Sequence, residues 1–211
     1  MSRVRVFVAA QLPDGILQEV GKLQTAMQKI PGNRSVRWVN SSGIHITFKF
    51  IGDTDADELP ALARAIDSAA LRISPIFTAT GSLGCFPNQT RPRVIWLGLQ
   101  DEQHGLRRAF QVLDDEMANA GIARDTRPFQ PHLTLGRVRN GAMSAEVEAL
   151  GRSIASWPAL PPQPFEINEV ALISSTLKPS GAEYTVLHHV RLAARPDQWR
   201  PNTIQSPSIR N

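Results

Sequence analysis

The chain opens on an alternating run, Arg3-Val4-Arg5-Val6-Phe7-Val8, which predicts a strand with one apolar face. From Pro13-Asp14-Gly15 the period changes. Ile16, Val20, Leu23, Met27 and Ile30 recur in steps of three and four, forming one helical stripe that Pro31-Gly32 ends. Val36 to Val39 predicts a short strand, and Asn40 to Gly43 turns the chain into a longer one from His45 to Gly52. Asp55, with Glu58 three residues on, forms a capping box for a helix that buries Leu59, Leu62, Ile66 and Ala70. Strands come next around Phe77 to Leu83 and Val94 to Leu99. A helix from about Asp101 to Ala120 then carries Leu106, Phe110, Leu113 and Met117, with Gly121 suited to its C-terminal cap.

A charged, proline-containing loop leads to a strand that starts at His132. Ser144 caps a helix with Val147, Leu150 and Ile154 inward, and the prolines between Pro158 and Pro164 make a rigid connector. Phe165 to Ile173 and Tyr184 to Leu192 each read as one strand. Hairpin-linked strands interspersed with helices predict an α+β fold with largely antiparallel sheet, in one domain over residues 1–192. The second half repeats the plan of the first. Residues 193–211 are polar and aperiodic and are expected to be disordered.

Two strands share a tripeptide, His45-Ile46-Thr47 and His132-Leu133-Thr134. Side chains alternate faces along a strand, so His45 and Thr47 share one face while Ile46 and Phe48 point the other way. His132 and Thr134 likewise lie opposite Leu133 and Leu135. Side by side, the two strands would surround one small cavity with two imidazoles and two hydroxyls. Two histidines can divide the breaking of a phosphodiester: one, neutral, takes a proton from the attacking oxygen, and the other, protonated, gives one to the leaving oxygen. Thr47 and Thr134 can donate to the phosphoryl oxygens, and nearby cations can balance the developing charge. Lys49, of the same strand parity as His45, and Arg127, Arg137 and Arg139 around His132 are the candidate cations. Arg137 has the parity of Leu133 and Leu135, so it either faces outward at the strand end or is turned by a bulge at Gly136. Phe48 and Phe50 read as core residues, and Trp38 as core or base-stacking. His104, His188 and His189 read as structural or exposed.

Composition narrows the classes. The chain has 211 residues, 42% of them hydrophobic, enough for a core. No apolar run approaches the roughly 20 residues of a membrane helix, and the N-terminus lacks the uninterrupted apolar stretch of a signal peptide. One cysteine, Cys85, permits no intrachain disulfide, which fits a reducing cytosol; its apolar surroundings make it a packing residue. The net charge of +4 lies partly in the tail, where Arg195, Arg200 and Arg210 face only Asp197. It admits a polyanionic substrate without pointing to a large nucleic-acid footprint. The motifs lack the His/Cys/Asp/Glu clustering of a zinc site, so neither metal nor cofactor is expected.

The order and spacing of several stretches resemble the 2H phosphoesterase superfamily, in particular the RNA 2′,3′-cyclic phosphodiesterases once called 2′-5′ RNA ligases. These stretches are Arg3 to Ala9, Val36 to Val39, Ile44 to Gly52, Pro92 to Gly98, Arg127 to Arg139 and Gly181-Ala182-Glu183-Tyr184. The resemblance runs from about residue 3 to 192. It implies two pseudo-symmetric α+β lobes with antiparallel sheets around a central cleft, and metal-independent hydrolysis of RNA 2′,3′-cyclic phosphate ends to 2′-phosphomonoesters. It further implies His45 as the proton donor, His132 as the proton acceptor, threonines that hold the phosphate, and a weak reverse 2′-5′ ligation. The residues themselves leave acid and base unassigned. A cytoplasmic monomer acting on RNA ends is expected. The alternatives are hydrolysis of small cyclic phosphates, such as ADP-ribose cyclic phosphate or a cyclic nucleotide, and a non-catalytic RNA-end binding module.

Overall fold

In the computed structural model, which describes residues 3–178 and 181–193, the N-terminal alternating run forms β1 (Arg3–Gln11). Its central residues, Val6 to Ala10, are buried on both faces. The helical stripes become α1 (Asp14–Met27), α2 (Leu59–Ala70), α3 (Gly105–Asn119) and α4 (Ser144–Ala155). Each buries the face its periodicity marks, for example Ile16, Val20 and Met27 on α1 and Leu106, Leu113 and Met117 on α3. The side chain of Asp101 accepts from the amides of Leu106 and Arg107 at 2.8 and 3.0 Å, satisfying free donors of the first turn of α3. Short 3₁₀ turns at Asn33–Ser35 and Ser41–Gly43 flank β2 (Val36–Trp38).

The remaining strands are β3 (His45–Asp55), β4 (Ile76–Phe86), β5 (Val94–Gln100), β6 (His132–Val138), β7 (Pro164–Ile167), β8 (Glu169–Lys178) and β9 (Gly181–Arg191). They join in one antiparallel sheet of order β7-β4-β5-β6-β3-β1-β8-β9, with β2 also paired to β6. The α+β class with antiparallel sheet is thus as expected. Its two halves, however, are not the two halves of the chain. β1 lies between β3 and the C-terminal β8, which carries β9, whereas β6 pairs with β2 and β5, and β5 leads on to β4 and β7 in the other half.

The predicted strand from Phe165 to Ile173 is divided at Asn168. β7 adds to β4 at one end of the path, whereas β8 adds to β1 near the other. One intervening residue allows this only because the sheet curls until its ends approach. The last strand is tied down beyond Leu192: the amide of Ala193 bonds to the carbonyls of Ala70 and Ile73 at 3.0 and 2.9 Å. The rest of the expected tail, residues 194–211, lies outside the described residues.

The halves of the sheet meet at β3 and β6, through a single registered pair, Ile46 with Leu133. Both side chains are fully buried in the main core. They pack beneath the junction, and nothing polar can replace them. Leu133→Ala is expected to lower stability by about 3 kcal/mol through lost burial and the cavity left behind. Urea unfolding followed by tryptophan fluorescence measures this, and a loss under about 1 kcal/mol would contradict the role given to the junction.

Candidate active site

Ile46 and Leu133 are the middle residues of the two His-x-Thr tripeptides. Their pairing in antiparallel register therefore sets His45 beside Thr134 and Thr47 beside His132, all on the face opposite the core. That face is the wall of a cleft of about 1080 Å³, lined by both histidines and both threonines. Neither threonine hydroxyl is engaged in a side-chain hydrogen bond among the described residues.

Each imidazole is held in the same way. Nδ1 of His45 lies 2.8 Å from the carbonyl of Gly43, and Nδ1 of His132 lies 2.6 Å from that of Gln130. A carbonyl can only accept, so the proton sits on Nδ1 and donates, leaving Nε2 of both rings free to exchange protons. His45 also stacks on Phe7 at 4.8 Å and meets the edge of Tyr184 at 5.1 Å. His132 meets Phe86 edge-on at 5.0 Å, with Trp96 behind. Gly84 makes room there, since a Cβ would overlap the Trp96 ring.

Both strands bulge immediately after their tripeptides. In β3, Val8 pairs with Lys49 and Ala9 with Thr47, leaving Phe48 as the extra residue. In β6, Ile95 pairs with Gly136 and Trp96 with Thr134, leaving Leu135 as the extra residue. A bulge reverses the facing of the strand residues beyond it. Arg137 is thereby turned into the cleft. The buried Gln24 of α1 supports that bulge: its Nε2 donates to the carbonyls of Leu135 and Val39 at 2.9 and 2.7 Å.

The same device corrects the expectation for Lys49. The β3 bulge turns Lys49 away from the cleft into the interior, where it is 2% exposed. Its ammonium donates to Asp114 at 2.5 Å and to the carbonyl of Ala123 at 2.7 Å, and lies 3.2 Å from Asp125. It cannot reach a phosphate held between the histidines. Phe50 is corrected in the opposite direction: it is not core but 65% exposed, and it lines the cleft. Phe48 is core as expected, stacked 5.9 Å from Phe129.

Residues 12–179 match the 2′-5′ RNA ligase superfamily. The chain is 30% identical over 184 residues to the RNA 2′,3′-cyclic phosphodiesterase of Methanocaldococcus jannaschii, covering 87% of this chain and 98% of that one. It is 29% identical over 192 residues to the enzyme of that name from Methanothermobacter thermautotrophicus, covering 90% of this chain and all of the relative. Among solved structures, TT0787 of Thermus thermophilus superposes with a TM-score of 0.71 at 27% identity, covering 91% of this chain and 100% of that one. E. coli LigT, at 24% identity, shares the fold with a TM-score of 0.67, covering 90% of this chain and 99% of that one. This protein belongs to the 2′-5′ RNA ligase superfamily.

In this superfamily member, Arg127 and Arg137 both line the cleft, whereas Arg139 lies outside it. Arg127 is carried on the loop between α3 and β6. Phe129 of that loop lies between Phe48 and Phe110, and Asp125 bonds through its amide to Asp114 at 3.1 Å. The consecutive core-facing residues Phe48 and Lys49 thus grip the segment that delivers Arg127 and His132. Tyr184 is a cleft residue whose position alternation alone did not reveal. Its signal was the Gly-Ala-x-Tyr stretch, and β9 brings it over His45. The other histidines stand apart. His188 bonds to Asp67 of α2 at 2.7 Å, His189 is exposed, and His104 begins α3 in a left-handed conformation. Trp38 packs against the core. Cys85 is buried, and that burial pushes its thiol up to about 11, so it is no nucleophile. No described helix is long and apolar enough to cross a membrane.

Burial lowers both cleft histidines below 6.5 by disfavouring the charged ring. The Arg137 guanidinium lowers both further, and the charge of His132 adds to the effect on His45. The backbone bonds to Gly43 and Gln130 act the other way. One cation therefore acts on both rings. NMR titration of the two imidazoles is expected to give midpoints below 6.5, and Arg137→Ala to move both upward. Midpoints that stay in place in the variant would show that Arg137 does not face the pair.

Proposed function

We propose that the protein is an RNA 2′,3′-cyclic phosphodiesterase that opens the cyclic phosphate to a 2′-phosphomonoester by two-histidine acid–base chemistry. The reading rests on the cross-strand arrangement of the two His-x-Thr tripeptides, each imidazole with a free Nε2 and the other motif's hydroxyl beside it. Neutral His132 takes a proton through Nε2 from the attacking water. The new P–O bond forms as the P–O3′ bond breaks, and protonated His45 gives its proton to the departing O3′. The 2′ ester bond is kept. His45 ends neutral and His132 protonated, and exchange with solvent restores both. The donor and acceptor roles follow the family resemblance, since local geometry treats the rings alike.

Thr47, Thr134, Arg137 and Arg127 hold the non-bridging oxygens and meet the charge that builds on them. The exposed ring of Phe50 is separated from His45 by one ring, Phe7, which lies 4.8 Å from His45 and 6.1 Å from Phe50. An exposed aromatic face at that position supports a substrate with a nucleobase to stack. The names of the relatives support the same substrate. Weak 2′-5′ ligation follows when a 5′-hydroxyl takes the place of the attacking water: the new P–O5′ bond forms as P–O3′ breaks, which is the microscopic reverse of cleaving a 2′-5′ linkage to a cyclic end.

His45→Ala and His132→Ala are each expected to lower kcat on a cyclic-phosphate oligonucleotide about 10³-fold, in EDTA, with unfolding midpoints preserved. The product of the unsubstituted chain should carry its phosphate on the 2′ oxygen. Substantial turnover by either variant, or a 3′-phosphate product, would overturn the proposal.

A further inference from the structure

Beyond the cleft, arginines gather where β2, β5 and β6 end together. Arg37 and Arg137 are directly opposed across the β2–β6 pair, so their side chains share a face. The amide of Arg139 bonds to the carbonyl of Ser35 at 2.7 Å, next to Arg34. The amide of Val138 bonds to the carbonyl of Arg93 at 2.9 Å. Backbone pairing thus brings Arg34, Arg37, Arg93, Arg137 and Arg139 around the end of β6. All are exposed, and none has a carboxylate partner among the described residues. Arg3, Arg5, Arg72, Arg107, Arg124 and Arg152 each have one, while Arg64, Arg91, Arg108 and Arg191 lack one among the described residues as well, so it is the gathering of five around the end of β6 that is distinctive.

Like charges placed directly opposite on a sheet destabilise it. An anion lying between them removes that cost. Arg137 reaches into the cleft while Arg37, which shares its face, and Arg34, Arg93 and Arg139 lie outside it, so positive charge borders the cleft at the end of β6. The depression on the far side of His45 and Tyr184, of about 380 Å³, is lined by the carboxylates of Asp14, Glu166 and Glu169 and repels phosphate. The two sides of the site therefore differ in sign.

We infer that the arginines at the ends of β2, β5 and β6 bind the phosphodiesters immediately 5′ of the reacting end, so that the protein favours an RNA chain over a mononucleotide. This rests on the phosphodiesterase reading and gives it a direction: the chain leaves the cleft over Arg37 and Arg93 and away from Asp14 and Glu169.

The test compares a 2′,3′-cyclic mononucleotide with a single-stranded oligonucleotide of about ten residues carrying the same end, in wild type and in Arg37→Ala/Arg93→Ala. Each single-strand phosphate contact contributes about 0.7 to the salt slope. The double variant is therefore expected to lose about tenfold in kcat/KM on the oligonucleotide, to lower the slope of log affinity against log salt by about 1.4, and to match wild type on the mononucleotide. Equal losses on both substrates would overturn the inference, as would no loss on either. Loss of binding to an acidic polypeptide with oligonucleotide binding intact would make the patch a protein-binding surface instead. If wild type turns over neither substrate, the phosphodiesterase reading fails. Fluorescence anisotropy with a labelled oligonucleotide ending in a 2′-phosphate then decides the patch alone: about tenfold weaker binding by the variant supports it, and unchanged binding overturns it.

Discussion

The contact between Ile46 and Leu133 organises this molecule. Among the described residues it is the one registered pair between the two halves of the sheet, and it lies between the His and the Thr of each motif. Burying those two apolar side chains beneath the junction necessarily puts their four polar neighbours on the other face. The antiparallel sense then exchanges partners, so each imidazole stands by the opposite strand's hydroxyl. A one-residue slip would bury the histidines and expose the apolar pair. The hydrophobic requirement of the core and the chemistry of the cleft are therefore enforced by the same register.

The second constraint is the pair of bulges. Each comes directly after its tripeptide, and each changes what the remainder of the strand contributes. On β6 the bulge brings Arg137 to the cleft, with its free carbonyl satisfied by Gln24 and the Val39 amide. On β3 it sends Lys49 inward and Phe50 outward. The inward lysine is not idle. A buried ammonium needs charged and hydrogen-bonding partners, and Asp114, Asp125 and the Ala123 carbonyl supply them. Those partners sit on α3 and the loop before β6, so the demand of one buried charge ties β3 to the segment that carries Arg127 and leads to His132. Buried pairs of this kind add little net stability but fix geometry.

The electrostatics of the cleft arise from this construction. Burial and the shared field of Arg137 hold both imidazoles below their ordinary value, so one cleft cation acts on both of the rings proposed to move protons. Arg137 is also the one of the arginines around the end of β6 that lines the cleft, while carboxylates line the depression behind His45. The asymmetry matters because the motifs themselves are nearly symmetric. Direction along a substrate comes from the surroundings of the pair.

Much of this was legible in the residues. Period 2 and period 3.6 marked the main strands and all four helices, and alternation alone placed each histidine with its threonine. Those are local properties: they depend on side-chain geometry within one element. What alternation could not reveal was any inversion of facing, because a bulge is defined by a partner strand. Alternation therefore assigns Lys49 and Phe50 to the wrong faces and leaves Arg137 open between two. The break at Asn168 is hidden for a related reason. Phe165 to Ile173 carries no turn signal strong enough to end a strand, and only pairing with two distant strands, β4 and β1, divides it. Tyr184 and the gathered arginines likewise come from segments far apart in the chain. Local periodicity dictates which residues share a face of a strand; which strands adjoin, and where one gains a residue over its neighbour, is set by long-range packing of the curled sheet.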